Sequence, residues 1–80
     1  MRNFTTSDLP LVTYLACQAI AAQKIITLLS GKVEFTYDLD LPEVEREINK
    51  FQLGSALVEP ATFYQMTRRL LATIKRKLAE

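Results

Sequence analysis

The sequence predicts a single small α+β domain over residues 1–80, in which helices pack against a two-stranded antiparallel hairpin in the order α-β-β-α-α. Three observations predict this class. Apolar and polar residues alternate strictly over residues 32–40, as in a strand with one buried face. Apolar residues recur every three or four positions before and after that segment, as in helices packed on a core. Hydrophobic residues make up 49% of the chain, which is too apolar for a disordered one.

The first helix is predicted to begin near Ser7 or Asp8, whose side-chain oxygens can accept hydrogen bonds from first-turn amides. Pro10 suits an early helical position because it has no amide hydrogen to leave unpaired. The predicted core stripe consists of Leu9, Val12, Leu15 or Ala16, and Ala19. The sequence leaves the C-terminal end of this helix open. Residues 16–24 are rich in alanine and glutamine, which favours a longer helix, whereas the β-branched residues 25–27 favour a strand.

The hairpin is the clearest local prediction. The apolar face of its second strand consists of Val33, Phe35, Tyr37 and Leu39. Gly31, which follows Ser30, can adopt a positive φ, so residues 25–29 are predicted to fold back as the antiparallel partner. Because an isolated hairpin is marginally stable in water, helices must cover its apolar face or a second chain must extend its edge.

Two more helices are predicted in the second half of the chain. Pro42 and Glu43 open the first of them, since proline tolerates the first turn and an acidic residue complements the positive end of the helix dipole. Its apolar stripe consists of Val44, Ile48 and Phe51, and Gly54 is predicted to end it. The last helix is predicted from about Pro60 to Ala79. The side chains predicted to face inward there are Phe63, Met66 or Thr67, Leu70, Ile74 and Leu78.

The N-terminal residues have some features of a signal peptide. Arg2 precedes the apolar residues 9–16, and residues 19–21 have the form of a cleavage site. Asp8 and Pro10 interrupt that pattern, so the helix interpretation is preferred. No stretch approaches the about 20 apolar residues of a membrane span. We therefore expect a cytoplasmic protein without a membrane partner, which agrees with a single cysteine and hence no internal disulfide.

The residue types that carry most catalytic and metal chemistry are missing or isolated. Histidine is absent, which excludes an imidazole base and the usual zinc patterns. Cys17 is predicted to be a small buried residue and Ser7 a helix cap, and neither is predicted to be a nucleophile. Two glycines are too few for a phosphate-binding loop, and the carboxylates are predicted to face solvent. We predict no catalytic residue, metal site, cofactor or small-molecule substrate.

Charge is segregated along the chain, although the net charge is only +1. The acidic block consists of Glu34, Asp38, Asp40, Glu43, Glu45 and Glu47. The basic cluster consists of Arg68, Arg69, Lys75, Arg76 and Lys77, all in the last helix. These cations are expected first of all to stabilise the negative end of the helix dipole and to solvate its outer face. The acidic and basic groups are also able to complement each other, within one molecule or between two copies.

Two candidate partner surfaces follow from these patterns. The first is the exposed edge of the hairpin. The second consists of Tyr64, Arg68, Arg69, Lys75 and Arg76 on the last helix. Most aromatic residues fall at core positions of their segments, but Tyr64 lies beside the inward-facing Phe63 and one helical turn before Arg68.

The spacing of several residues resembles a family of short prokaryotic domains of unknown function over nearly the whole chain. The matching residues are Phe4, Thr6-Ser7-Asp8-Leu9, Tyr14-Leu15, Val33, Phe35, Phe51, Gly54, Ala56, Val58, Pro60 and Phe63. The resemblance implies a hairpin after a short first helix, and it transfers no activity or binding residue. Members of that family have glycine between the first helix and the first strand, where residues 19–23 of this chain contain none.

We expect a non-enzymatic interaction domain that either self-associates or acts as an adaptor, because its core is small, its sheet is short and its charges are segregated. Its partner would then be a second copy or another protein. The alternative is a nucleic-acid-binding accessory protein that uses the basic last helix. An enzyme ranks last, because the sequence gives no sign of a polar pocket.

Overall fold

The computed structural model describes residues 2–79 as a three-stranded sheet with three helices. The elements in order are β1 (Asn3–Thr6), α1 (Leu9–Cys17), β2 (Lys24–Thr27), β3 (Val33–Asp38), α2 (Pro42–Gln52) and α3 (Pro60–Ala79). The α+β class is confirmed, but the order is β-α-β-β-α-α, and the expected two-stranded hairpin is part of a larger sheet. No helix within residues 2–79 is both long and apolar enough to cross a bilayer.

The sheet has the order β1-β3-β2, and both pairs are antiparallel. β3 is therefore the central strand. Its outer edge, which is free in the predicted two-stranded hairpin, pairs with β1. Phe4 pairs with Tyr37 on one side, and Ile25 pairs with Phe35 on the other. No strand was predicted over residues 3–6, because a four-residue strand contains too little alternation to be recognised.

Helices cover one face of the sheet, and the other face is polar. Val33, Phe35 and Tyr37 of β3 are buried on the helix side. On the opposite face the hydroxyls of Thr5 and Thr36 lie 3.0 Å apart in a hydrogen bond between β1 and β3. The predicted alternation in β3 is thus confirmed, and it determines which face carries the core.

β2 is shorter than predicted, because it ends at Thr27 and not at residue 29. Gly31 has a φ of 87°, as the predicted turn requires. The turn is closed by two backbone hydrogen bonds, from Leu28 to Lys32 and from Gly31 to Leu28. Leu29 lies at its tip and is fully exposed, so the second half of the predicted strand belongs to the turn.

α1 is the central helix of the domain. Asp8 caps it by accepting a hydrogen bond from the Leu11 amide, which confirms the predicted start. All of residues 11–15 are buried, so the helix is covered on every side and not along one stripe. It ends at Cys17, and Ala19 lies beyond it with a φ of 62°, so Ala19 was wrongly assigned to the helical stripe.

Ala19 adopts the left-handed conformation just after α1. An L-residue with a side chain is strained there by about 1 kcal/mol, whereas glycine is not. We expect Ala19→Gly to raise the free energy of unfolding by about 0.5 kcal/mol, since part of the gain is offset by the greater freedom of glycine in the unfolded chain. Urea denaturation would measure it. Ala21→Gly is the matched control and should lower stability, because Ala21 has no positive φ to relieve.

Thr13 is fully buried in α1, and its hydroxyl has no hydrogen-bond partner within residues 2–79. A buried hydroxyl without a partner costs free energy, and valine has the same shape without the polar atom. We expect Thr13→Val to raise the free energy of unfolding by about 1 kcal/mol in urea denaturation. Thr5→Val removes a hydroxyl that is hydrogen-bonded to Thr36 and should give no gain. Equal effects of the two substitutions would contradict this explanation.

α2 brings a carboxylate into the core. Glu47 is only 8% exposed, and its Oε1 accepts a 2.6 Å hydrogen bond from the Tyr14 hydroxyl of α1. Lys50 and Arg46 reach Oε2 from the solvent side at 3.3 and 3.5 Å. The expectation that the carboxylates face solvent is therefore wrong for Glu47. The tyrosine on α1 supplies the partner that makes its burial tolerable.

α3 begins at Pro60 and is capped by Glu59, whose carboxylate accepts from the amides of Ala61 and Thr62. The helix packs on α1, but none of its described side chains is fully buried. Phe63, Leu70 and Ile74 are half-buried on its inner side. Leu78 was predicted to face inward, but it is 47% exposed, which corrects that assignment.

Candidate interaction surface on the last helix and the cavity behind it

The five residues predicted as a partner surface all lie exposed on α3, but they do not form one face. Successive helical residues are rotated by about 100°, so Tyr64, Arg68 and Lys75 fall within roughly 40° of one another. By the same geometry Arg69 and Arg76 lie about 100° further round the helix. The predicted cluster is therefore two surfaces.

The first surface combines aromatic, apolar and basic side chains. Tyr64 is 62% exposed, and the Arg68 guanidinium lies over its ring, 5.9 Å from the ring centre. Leu71 and Leu78 are exposed by 49% and 47% and follow Tyr64 at intervals of seven residues. We define the outer stripe as Tyr64, Arg68, Leu71, Lys75 and Leu78. Sequence reasoning missed its two leucines, and their spacing of seven from Tyr64 was the signal that could have found them.

Four cations of α3 have no carboxylate partner among the residues that the structure describes. Arg68, Arg69, Lys75 and Arg76 form no ion pair with any residue from 2 to 79. The predicted pairing of the acidic block with these four cations inside one molecule is thus not found there.

Some carboxylates of the acidic block instead form ion pairs with cations outside α3. Arg2 pairs with Asp40 at 3.3 Å and with Glu45 at 2.8 Å, which ties the start of β1 to α2. These hydrogen bonds raise the pKa of the Arg2 guanidinium, with the bond to Asp40 as the largest cause. Glu47 is held by its own partners on α1 and α2. Three of the six carboxylates in the acidic block are therefore paired locally, whereas Arg68, Arg69, Lys75 and Arg76 have no carboxylate partner within residues 2–79.

The second surface lies at the mouth of a cavity. Thr73 lines a half-open cavity of about 240 Å³ that is bordered by α1, β2, β3, α3 and the loop between α1 and β2. The Arg76 guanidinium donates to the Thr73 hydroxyl at 3.4 Å, and that hydroxyl donates to the Arg69 carbonyl at 3.1 Å. A guanidinium therefore lies next to a residue that lines the cavity.

The cavity itself is mainly apolar. Its walls include Val12, Ile20, Ile25 and Leu70. Tyr37 also lines it and is only 2% exposed, yet no hydrogen bond joins its hydroxyl to any described residue. Burial raises the pKa of Tyr37 to about 12, so the phenol is a neutral hydrogen-bond donor at ordinary pH.

The residues considered for chemistry are not assembled into a reactive group. Cys17 is half-buried, and burial raises the pKa of its thiol, which lowers the fraction of reactive thiolate. Ser7 lies half-buried just before α1. Within residues 2–79 no three histidine, cysteine or carboxylate side chains are grouped as a metal site requires.

The other predicted surface, the hairpin edge, is reduced to one short strand. Only β2 retains a free edge in the hairpin, since β1 covers β3. β2 has four residues and begins with Lys24, and short length and lysine both disfavour pairing with another chain. The outer stripe is therefore the stronger candidate for a partner.

No family model, curated protein or solved structure matches this chain. The resemblance to short prokaryotic domains stays a prediction, and the outer stripe of α3 is the feature that bears on function.

Proposed function

We propose that this chain is a non-enzymatic interaction domain that binds an acidic amphipathic helix of a partner protein along the outer stripe of α3. The observation that supports it is the combination of three exposed apolar side chains at intervals of seven residues with two unpaired cations between them. Apolar side chains at that interval lie along one face of a helix, where an amphipathic partner helix can pack.

The geometry suggests how such a partner would be held. Tyr64, Leu71 and Leu78 would enter the spaces between apolar side chains of the partner helix and lose contact with water. Arg68 and Lys75 lie beside that seam, where glutamate or aspartate side chains of the partner would pair with them. The apolar contacts supply most of the affinity, and the charges select an acidic partner over a basic one.

A second copy of the chain fits the outer stripe less well. If two α3 helices paired in antiparallel fashion about Leu71, Arg68 of one copy would face Lys75 of the other, and like charges across a helical interface are destabilising. Nucleic acid also fits less well. Phosphates would pair with the two cations, but Leu71 and Leu78 in the same stripe offer nothing to a polyanionic backbone.

The test is a binding titration of the intact chain with three fluorescent probes. The first is a designed helical peptide of the same length as α3, with leucines at intervals of three and four residues and glutamates beside them. The second has the same composition in scrambled order, so that charge is kept and the apolar stripe is lost. The third is a DNA duplex. Anisotropy is measured at low and at moderate salt, and sedimentation velocity records the oligomeric state.

We expect the amphipathic peptide to bind, with an affinity that falls moderately with salt, and the scrambled peptide to bind at least tenfold more weakly. Equal binding of both peptides would show that charge alone is recognised and would overturn the proposal. Tighter binding of the duplex, with a steep salt dependence, would favour the nucleic-acid alternative. A concentration-dependent dimer that binds neither peptide would favour self-association.

A further inference from the structure

The cavity behind α3 is separate from the outer stripe. It is reached from the side of α3 that carries Leu70 and Thr73, and no residue of the outer stripe lines it. Its lining contains no charged side chain, and its polar groups include the hydroxyls of Tyr37 and Thr73. Cavities of this kind bind mainly apolar ligands that are oriented by a few polar contacts.

The polar groups at the cavity indicate which polar group the ligand would carry. Tyr37 offers a neutral phenol whose hydroxyl has no hydrogen-bond partner within residues 2–79 and is itself not fully buried, so it is able to donate to a ligand. Arg76 holds its guanidinium 3.4 Å from the Thr73 hydroxyl at the mouth, and it has no carboxylate partner among the described residues. A hydrogen-bond donor and an unpaired cation beside an apolar space together match a carboxylate on a hydrocarbon chain.

The volume limits the length of that chain. The cavity volume of about 240 Å³ lies below the about 300–1,000 Å³ of pockets that hold drug-sized ligands, so the ligand has to be a small molecule. We propose that this cavity binds a small aliphatic carboxylic acid, with its hydrocarbon chain among the apolar walls and its carboxylate held by Tyr37 and Arg76. The site is independent of partner binding along the outer stripe.

Octanoate is the probe for this proposal, with octanol and octylammonium as neutral and charge-reversed analogues. Binding is followed by calorimetry and by amide chemical shifts in ¹⁵N-labelled protein. We expect octanoate to bind with a Kd below about 1 mM, the range accessible to a ligand of its size. The shifts should concentrate in α1, β2 and the inner side of α3. Octanol should bind more weakly, and octylammonium weakest of all.

Three variants locate the ligand. Ala16→Leu fills the cavity from α1 and should abolish binding, while circular dichroism checks that the variant is folded. Tyr37→Phe should weaken octanoate binding about tenfold and leave octanol binding less affected, because it removes one hydrogen bond to a charged group. Arg76→Gln should weaken octanoate but not octanol. Lys32→Gln removes an equivalent exposed charge from the β2–β3 turn and should change neither.

The outcomes separate this site from surface adsorption. If octanoate does not bind at millimolar concentration, or if folded Ala16→Leu binds it as wild type does, the proposal is wrong. If octanol and octanoate bind equally and Arg76→Gln changes neither, the cavity accepts apolar groups without recognising a carboxylate, and the proposed ligand class is wrong. In that case an apolar side chain of a protein partner becomes the better occupant.

Discussion

Replacing Tyr14 by phenylalanine is expected to lower the free energy of unfolding by about 2 kcal/mol at neutral pH. The substitution keeps the ring, which packs 5.6 Å from the ring of Phe51 between centres, and removes only the hydroxyl. That hydroxyl donates the 2.6 Å hydrogen bond to Glu47, so the buried carboxylate would lose its partner from α1. The cost should exceed that of a neutral hydrogen bond, because a charged acceptor is left incompletely paired. Urea denaturation measures the difference.

The effect should depend on pH in a defined direction. The hydrogen bond from Tyr14 is the main reason that the pKa of Glu47 lies below its usual value of 4.5. A carboxylate whose pKa is lower in the folded state contributes stability above its unfolded pKa and loses it as the pH falls through the folded value. We therefore expect the difference between wild type and Tyr14→Phe to be full above about pH 5 and to shrink below pH 4.

Ionisation of Tyr14 removes the same hydrogen bond at alkaline pH. Burial, followed by the bond to Glu47, raises the pKa of Tyr14 to about 12 from its usual 10. A group whose pKa is raised by folding contributes stability below its unfolded pKa, and this contribution is lost as the pH rises from 10 towards 12. The variant lacks this contribution, so the difference should also shrink there.

Tyr37→Phe is the matched control for this prediction. It removes a tyrosine hydroxyl from the same core, but this one has no hydrogen-bond partner within residues 2–79. It should cost far less than Tyr14→Phe, or nothing. If the two variants lose the same stability and neither difference changes with pH, the Tyr14–Glu47 bond does not stabilise the fold in the way described.

Features that depend on neighbouring residues were predicted from the sequence, whereas features that depend on residues distant along the chain were missed. The cap at Asp8, the turn at Gly31 and the bounds of α3 depend on neighbouring residues, and sequence patterns found them. β1 depends on β3, which lies about 30 positions later, and four residues with one half-buried phenylalanine carry too weak a local signal. Glu47 was assigned to solvent for the same reason, since its partner is on another helix.

The exposed face of α3 was likewise predicted only where it depends on residues close in sequence. Tyr64 and Arg68 were predicted together because they are one turn apart, and their contact is confirmed. Leu78 shares the inward spacing of Ile74, so periodicity alone placed it in the core. α1 covers only part of the inner side of α3, and the exposed residues therefore depend on how the helices cross, which no local pattern encodes.

Leu71→Gln is expected to weaken binding of the amphipathic acidic peptide at least tenfold while leaving the fold as stable as wild type. Leu71 lies at the centre of the outer stripe, with Tyr64 and Leu78 seven residues away on either side, and central apolar side chains dominate the energetics of such contacts. Tenfold corresponds to about 1.4 kcal/mol, which burial of one half-exposed leucine supplies. Because Leu71 is 49% exposed in the isolated chain, a polar amide there costs little stability.

Two controls make this outcome specific. Ala72→Gln introduces the same side chain one position further along α3, about 100° round the helix from Leu71 and off the line of its apolar side chains, and should bind the peptide as wild type does. Lys75→Gln keeps the apolar seam and removes a cation, so it should weaken binding at low salt more than at moderate salt. If Leu71→Gln and Ala72→Gln bind equally well, Leu71 is not part of the contact. If Leu71→Gln loses thermal stability in proportion to binding, its role is within the fold and not at a partner.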